Sequence, residues 1–237
     1  MAALLEVRGL TKRFGGLLAN DGVDIAVGAA EIVGLIGPNG AGKTPFFNGL
    51  PGQLRIDKGQ VLFDGRDITN RPPEEIARAG IARTFQLVKI FREMTVVENV
   101  IVGAFLREVT RRAARERALE ALRIVGLATY AEAFAGELPV ALQKRIELAR
   151  ALATGPRLIV LDEALSGLTP AETHQALDVL RVLRERRIAL LVVEHVMEVI
   201  MTLSDRVVVL DAGRRIASGS PQEVAQDPRV VEAYLGA

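Results

Sequence analysis

Residues 31–50 read EIVGLIGPNGAGKTPFFNGL. The first six, Glu31 to Ile36, are a short apolar run of the kind that makes a buried parallel strand, and they deliver the chain into Gly37. From Gly37 to Thr44 the spacing is G-x-x-x-x-G-K-[ST]. Small residues there let successive backbone N–H groups turn inward around an oxygen-rich anion, and a helix starting near Gly42 adds the positive end of its dipole. Gly37, Pro38, Asn39, Gly40, Ala41, Gly42, Lys43 and Thr44 are therefore the expected phosphate cradle. Lys43 is placed to reach the terminal phosphates as a point charge, and the Thr44 hydroxyl to sit on Mg²⁺. A glycine turn between strand and helix is the bland alternative.

The residue after Thr44 is Pro45. In the first helical turn a proline costs the fold little, because that N–H needs no partner inside the helix and the fixed φ suits helix entry. The anion is affected differently. First-turn donors are the ones that point at phosphate, so Pro45 is expected to subtract one bond and to offer no hydroxyl.

With 237 residues, 49% hydrophobic and 25% charged, the chain has ample material for one large domain or for a domain with a subdomain. Its net charge of +1 is scattered, so no global field argues for nucleic acid. The local basic run REVTRRAARER (Arg107 to Arg117) reads first as a solvated helix face and second as a phosphate or lipid contact. There is no cysteine, which excludes disulfides and thiolate metal sites and fits a reducing compartment. The stretch MAALLEVRGLTKRF lacks the long apolar segment of a signal peptide, and no run approaches eighteen apolar residues. The chain is expected neither to span a membrane nor to cross one.

Outward from the loop, LLEVRGL and VDIAV read as strands, the second following a turn at Asn20-Asp21-Gly22. QVLFDGRDI predicts a hairpin around Asp64-Gly65, and IARTFQ (Ile81 to Gln86) closes a strand-rich first part. Helical spacing takes over from about Val96, with Gly126 as a stop and a further helix over 139–153 that places Ile146, Ala149, Leu152 and Ala153 on one face. LIVLDE is a second buried strand. A helix from Pro170 to about Arg186, the strand IALLVVE, a helix from His195 and the strands DRVVVL and RRIASG complete an alternation that predicts a parallel sheet sandwiched by helices.

The carboxyl end of LIVLDE brings Asp162 and Glu163 beside the phosphate loop, where open α/β sheets bind ligands. Asp162 is placed to hold Mg²⁺, directly or through water, and Glu163 to polarise an attacking water. Acidic pairs also cap following elements. Gln86 is placed to touch the metal shell and sense the helical insert, or is a polar strand end with no role. His195 closes VVEH, where a ring N–H reaches toward the γ-phosphate. Phe14 is a candidate to stack on an adenine ring, with core packing as the alternative.

Taken in order, GPNGAGKT, TFQ, LPVALQKRIELARAL, LIVLDEALSGLTP and VVEH resemble the ATP-binding subunit of an ABC transporter over essentially the whole chain. TKRFGGLLAN, VENVIVGA and GSPQEVAQDPRVVEAYLG resemble, more finely, the ATPases of bacterial branched-chain amino acid importers. The resemblance implies an α/β P-loop NTPase core with a mostly parallel sheet, an N-terminal antiparallel β region and a helical subdomain. Residues 1–86 and 154–237 would form the nucleotide-binding core and 87–153 the helical subdomain with its signature segment. It implies ATP and Mg²⁺ as ligands, with Thr44, Gln86 and Asp162 at the metal. Glu163 would be the catalytic base, His195 the γ-phosphate sensor and Gln86 the coupling element. In this family two subunits meet head to tail, so Pro139, Val140, Ala141, Leu142 and Gln143 would face the partner's ATP, and Ser166 to Pro170 would cross the interface. The expected partners are membrane subunits and a second ATPase, identical or paralogous, at the cytoplasmic face of the inner membrane, with no nucleic acid.

Several residues depart from the family pattern. The signature core is Ser-Gly-Gly-Gln or a close variant, and here Pro139-Val140-Ala141-Leu142 stands in its place. Ala141 sets a Cβ where a glycine lets backbone approach the γ-phosphate, and Leu142 replaces a polar residue. Pro45 stands where threonine is usual, Ala164 where proline follows the Glu, and Thr169 where the interface loop carries Asp or Asn. An ATPase with impaired hydrolysis, or a regulatory subunit beside a more active paralogue, is the expectation those changes raise.

Overall fold

The computed structural model describes residues 3–84, 89–194 and 197–235. β1 (Leu5–Phe14) and β2 (Leu17–Val27) form an antiparallel pair, after which β3 (Ile32–Ile36) carries the chain into the glycine loop and α1 (Lys43–Gly49). β4 (Lys58–Phe63) and β5 (Arg66–Asp67) make a hairpin, and α2 (Pro73–Ala79) leads to β6 (Ile81–Arg83). Three helices follow, α3 (Val96–Ala104), α4 (Arg111–Ile124) and α5 (Val140–Ala153), before β7 (Leu158–Asp162). The rest alternates: α6 (Pro170–Glu185), β8 (Ala189–Val193), α7 (Met197–Leu203), β9 (Arg206–Asp211), β10 (Arg214–Gly219), α8 (Pro221–Gln226) and α9 (Pro228–Leu235).

The strands sort into an antiparallel sheet, β2-β1-β4-β5, and a six-stranded sheet, β10-β9-β3-β8-β7-β6, parallel except for the β9–β10 pair. β3, β7 and β8 are buried along their whole length, which is why they read as unbroken apolar runs rather than alternating ones. Alternation survives in which core each side chain enters. Ile32, Ile36, Ile159, Leu161, Leu190 and Val192 face a core shared with α3 to α7, while Val33, Leu35, Leu158, Val160, Leu191 and Val193 face the core shared with β1, β2, β4 and α1. Phe46, Phe47 and Leu50 fix α1 in that second core, each burial contributing roughly 1.5–3 kcal/mol before the entropy of ordering is subtracted.

The Asp64-Gly65 hairpin is as expected: both residues take positive φ, as the tight two-residue turn requires. The turn expected at Asn20-Asp21-Gly22 is not a turn. β2 runs through it, and the register passes from Leu10↔Val23 to Lys12↔Asn20, one extra residue on β2 that makes a bulge at Gly22. The true turn is Gly15-Gly16. α2 and α8 begin with a proline in the first turn, a position that starts a helix as readily as prolines elsewhere end one, and they were not anticipated. The basic run is largely ion-paired: Arg112 with Glu116, Arg115 with Glu132 and Arg117 with Glu108. No helix among the described residues is long and apolar enough to cross a membrane.

Gly34 is the point where β3 presses hardest on its helical layer. A Cβ there would lie 2.7 Å from Ser204 Oγ and 2.8 Å from Ile200 Cγ2. Gly34→Ala is therefore expected to destabilise the fold by about 1–3 kcal/mol through overpacking. Urea unfolding checks this, and an unchanged midpoint would show that α7 shifts freely.

Candidate functional site

The loop after β3 is built on backbone positions only glycine supplies. Gly37 has φ +153°, with the place of a Cβ 2.1 Å from Leu210 O, and Gly42 has φ +93°, with that place 2.3 Å from Ala19 O. Turning the N–H groups toward the cleft turns the carbonyls into the protein, where those of Gly37, Pro38, Ala41 and Gly42 have donors. Gly42 O accepts from Phe46 N at 3.2 Å and from the buried Asn20 Nδ2 at 2.9 Å. Lys43 Nζ donates to Gly37 O at 2.6 Å and Pro38 O at 2.9 Å. Burial pushes its ammonium below the ordinary lysine range, and the Glu163 charge opposes that.

Pro45 finds its explanation in the same accounting. With Gly42 as the cap of α1, the N–H of residue 45 is a first-turn donor without a helical partner; only in a helix begun one residue earlier would it reach Ala41 O, and proline has none to give. Gly213 N, in the turn between β9 and β10, donates to Ala41 O instead at 3.1 Å. The proline is therefore structurally satisfied, and the donor missing from the cleft side is not replaced by this contact.

Asn39, Gly40 and Thr44 are exposed on the rim of a cleft of about 690 Å³, lined also by Phe14, Leu17, Lys43, Pro45, Asp162 and Glu163. That volume suits a mononucleotide. Phe14 is 48% exposed with Lys12 Nζ 5.3 Å from its ring centroid, so it is a face on the cleft wall and not a core residue. Among the described residues no cluster of three His, Cys, Asp or Glu exists that could cage a metal alone. Thr44 Oγ1 and the Asp162 carboxylate are hard oxygens near the loop, with the Glu163 carboxylate beside them, a donor set that fits Mg²⁺ shared with phosphates.

Asp162 closes β7, where Arg83 Nη2 meets its Oδ2 at 2.9 Å. Glu163 follows with φ +48°, its N–H donating to Val193 O at 2.9 Å. A proline at 164 would push residue 163 toward extended φ, so Ala164 is compatible with this left-handed backbone. The following loop is tied from two sides: Leu165 N donates to Glu194 Oε1 at 2.7 Å, and Lys144 Nζ, from α5, to Ser166 O at 2.5 Å. Thr169 caps α6 and makes a reciprocal box with Glu172.

Thus the structure brings the loop, Phe14, Asp162 and Glu163 together. Pro139, Val140, Ala141, Leu142 and Gln143 lie elsewhere, at the start of α5: Pro139 is a cap with no side-chain bond, and Gln143 Nε2 is turned inward to Leu138 O at 2.7 Å. Gln86 and His195 lie outside the described residues. Asn20, Arg83, Lys144 and Glu194 were not singled out from sequence. The signal for Arg83 was present in IARTFQ, where a charge among apolar strand residues must find a buried partner.

With this geometry in hand, comparison with known proteins is specific. A family model for the ABC transporter matches residues 20–166, and one for the branched-chain amino acid ATP-binding cassette transporter matches residues 214–237. The high-affinity branched-chain amino acid transport ATP-binding protein BraF of Pseudomonas aeruginosa is 42% identical, covering 98% of both chains. LivG of Escherichia coli, of the same description, is 40% identical with the same coverage. The crystal structure of a nucleotide-free ATP-binding cassette from an ABC transporter superposes with a TM-score of 0.91 over 100% of both chains at 33% identity. The chain belongs to the ABC transporter family, as an ATP-binding, ATP-hydrolysing subunit.

Proposed function

We propose that the chain energises an importer of branched-chain amino acids from the cytoplasmic face of the inner membrane. The near full-length likeness to BraF and LivG supports the solute class. The observation that carries the chemistry is the convergence of the glycine loop, Asp162 and Glu163 on one cleft. In this reading the chain has a nucleotide-binding core, residues 1–86 and 154–237, and a helical subdomain, residues 87–153. It docks on membrane subunits and pairs head to tail with an identical or paralogous subunit.

The residues of this chain divide the work as follows. Loop N–H groups and Lys43 hold the phosphates, and Phe14 stacks on the base. Thr44 and Asp162 would hold Mg²⁺, which would supply positive charge against the terminal phosphates. Glu163 orients the attacking water and accepts its proton, with His195 as the γ-phosphate sensor and Gln86 as the metal-shell residue that couples to the helical subdomain. The start of α5, residues 139–143, addresses the ATP held by the partner. Ala141 favours slow turnover there, since its Cβ occupies the approach of backbone to phosphate.

Lys43→Ala is expected to weaken ATP binding by roughly tenfold to more than a hundredfold, the equivalent of about 1.5–3 kcal/mol for a charge-assisted contact. Equilibrium titration with ATP checks it, and unchanged affinity would remove the loop from consideration. In Glu163→Gln the shape persists and the base is lost, so turnover should fall by about 10²–10⁴-fold while ATP still binds. Parent-level phosphate release from that variant would end the assignment. Pro45→Thr returns a donor and a hydroxyl to the cleft, which should tighten ATP by about 0.5–1.5 kcal/mol. Its melting temperature should barely move, because Gly213 already serves Ala41 O.

A further inference from the structure

We propose that Arg83 is a positioning residue for the metal half of the site, holding the Asp162 carboxylate in fixed relation to the helix that carries Lys43 and Thr44. The inference rests on the reading of the cleft as a Mg²⁺–ATP site.

Arg83 is the last residue of β6, next to β7 in the sheet, and its side chain is 9% exposed, as is that of Asp162. Nη2 donates to Asp162 Oδ2 at 2.9 Å. The other arm of the fork, Nη1, donates to Asn48 Oδ1 at 2.6 Å and to Gln53 Oε1. The face of the guanidinium lies over Phe47, with Cζ 4.7 Å from the ring centroid. Phe47 and Asn48 belong to α1, four residues beyond Lys43 and Thr44 respectively, and Phe47 is fully buried. One planar cation therefore joins the strand end bearing Asp162 to the first helix after the phosphate loop. Few side chains do this: a lysine is a point charge, and only a fork can bond a carboxylate on one side and two amide oxygens on the other.

The same pair has another consequence with the opposite sign. Arg83 neutralises Asp162, so a purely electrostatic role would make it a competitor of the cation, and its removal would strengthen Mg²⁺ binding. Positioning predicts weakening, because groups that orient a metal ligand typically change affinity by about 10–100-fold when removed. The rigid hold from Phe47, Asn48 and Gln53 favours positioning: a mere counter-charge needs none of the three.

The test uses the full chain and the variants Arg83→Gln, Arg83→Lys and Asn48→Ala. ATP affinity is measured with Mg²⁺ and with EDTA, alongside thermal unfolding without nucleotide. In EDTA all variants should bind ATP as the parent does. The gain in affinity on adding Mg²⁺ should fall about tenfold in Arg83→Gln, and by less in Arg83→Lys and Asn48→Ala, which keep the charge beside Asp162 and lose part of the fork's grip. Should Arg83→Gln fail to fold, the two charge-retaining variants still decide. An unchanged or enlarged Mg²⁺ gain overturns the proposal, as does an equal loss with Mg²⁺ and EDTA, which marks general damage. If the parent itself shows no Mg²⁺ gain, the Mg²⁺–ATP reading falls and takes this inference with it. A parent gain that survives in every variant sinks the inference alone.

Discussion

A chain that wraps its N–H groups around an anion turns its carbonyls into the protein, where each needs a donor. This constraint organises the molecule around residues 37–45. Asn20 of β2 serves Gly42 O, Gly213 of the β9–β10 turn serves Ala41 O, and Lys43 folds back on Gly37 O and Pro38 O. The donors come from both sheets, so the loop takes shape only when the two are docked. That docking has its own fastenings: Asp21 N donates to Gly213 O at 2.8 Å, and Arg214 pairs with Asp21 at 2.6 Å. The buried Asn20 then reads as a support of the glycine loop, its Nδ2 donating to Gly42 O.

The acidic strand ends obey a second version of the same rule. Asp162 and Glu194 are both buried at the carboxyl ends of neighbouring parallel strands, β7 and β8, where a carboxylate needs donors. Asp162 is met by Arg83 and Glu194 by Leu165 N. Lys144 joins α5 to the same loop through Ser166 O, and burial pushes its ammonium down while Glu194, Glu147 and Glu163 draw it back. The loop over 163–168 is thus tied to the end of β8 through Glu163 N and Leu165 N and to α5 through Ser166 O. Any displacement of α5 relative to the sheet must stretch a charged hydrogen bond at Ser166, which gives that loop a direct mechanical route to the strand end bearing Glu163.

Much of this was legible in the residues. Unbroken apolar runs marked the strands buried on both faces, the glycine spacing marked the loop, and Asp162 and Glu163 stood at a strand end because the register of LIVLDE left them no other place. The hairpin at Asp64-Gly65 followed from local turn chemistry. What stayed hidden depended on partners far along the chain. Nothing near Asn20 says that its neighbour in space is Gly42, and the glycine after it is equally at home in a turn or in a bulge. Arg83 finds Asp162 from 79 positions away, a pairing set by sheet order rather than by any local pattern. The short helices α2 and α8 carry little local signal, since a proline starts a helix as readily as it ends one until the packing of the next turn is known.

The departures from the family pattern separate along the same physical line. Pro45, Ala164 and Thr169 each sit where this chain meets its own backbone demands. Gly213 covers for the proline, Glu163 takes a positive φ that Ala164 permits, and Thr169 supplies an oxygen to the start of α6 as a capping Asp or Asn would. Those three are internally balanced and ask nothing of a neighbour. Pro139 and Ala141 differ. They stand at the start of α5, where Pro139 offers no capping hydroxyl and only its backbone carbonyl accepts, from Leu142 N and Gln143 N. A defect that the fold itself does not register can act only across an interface. In the proposed head-to-tail pairing the altered signature would bear on the encounter with a second subunit, while the fold is left intact and Pro45 alone touches the chain's own cleft.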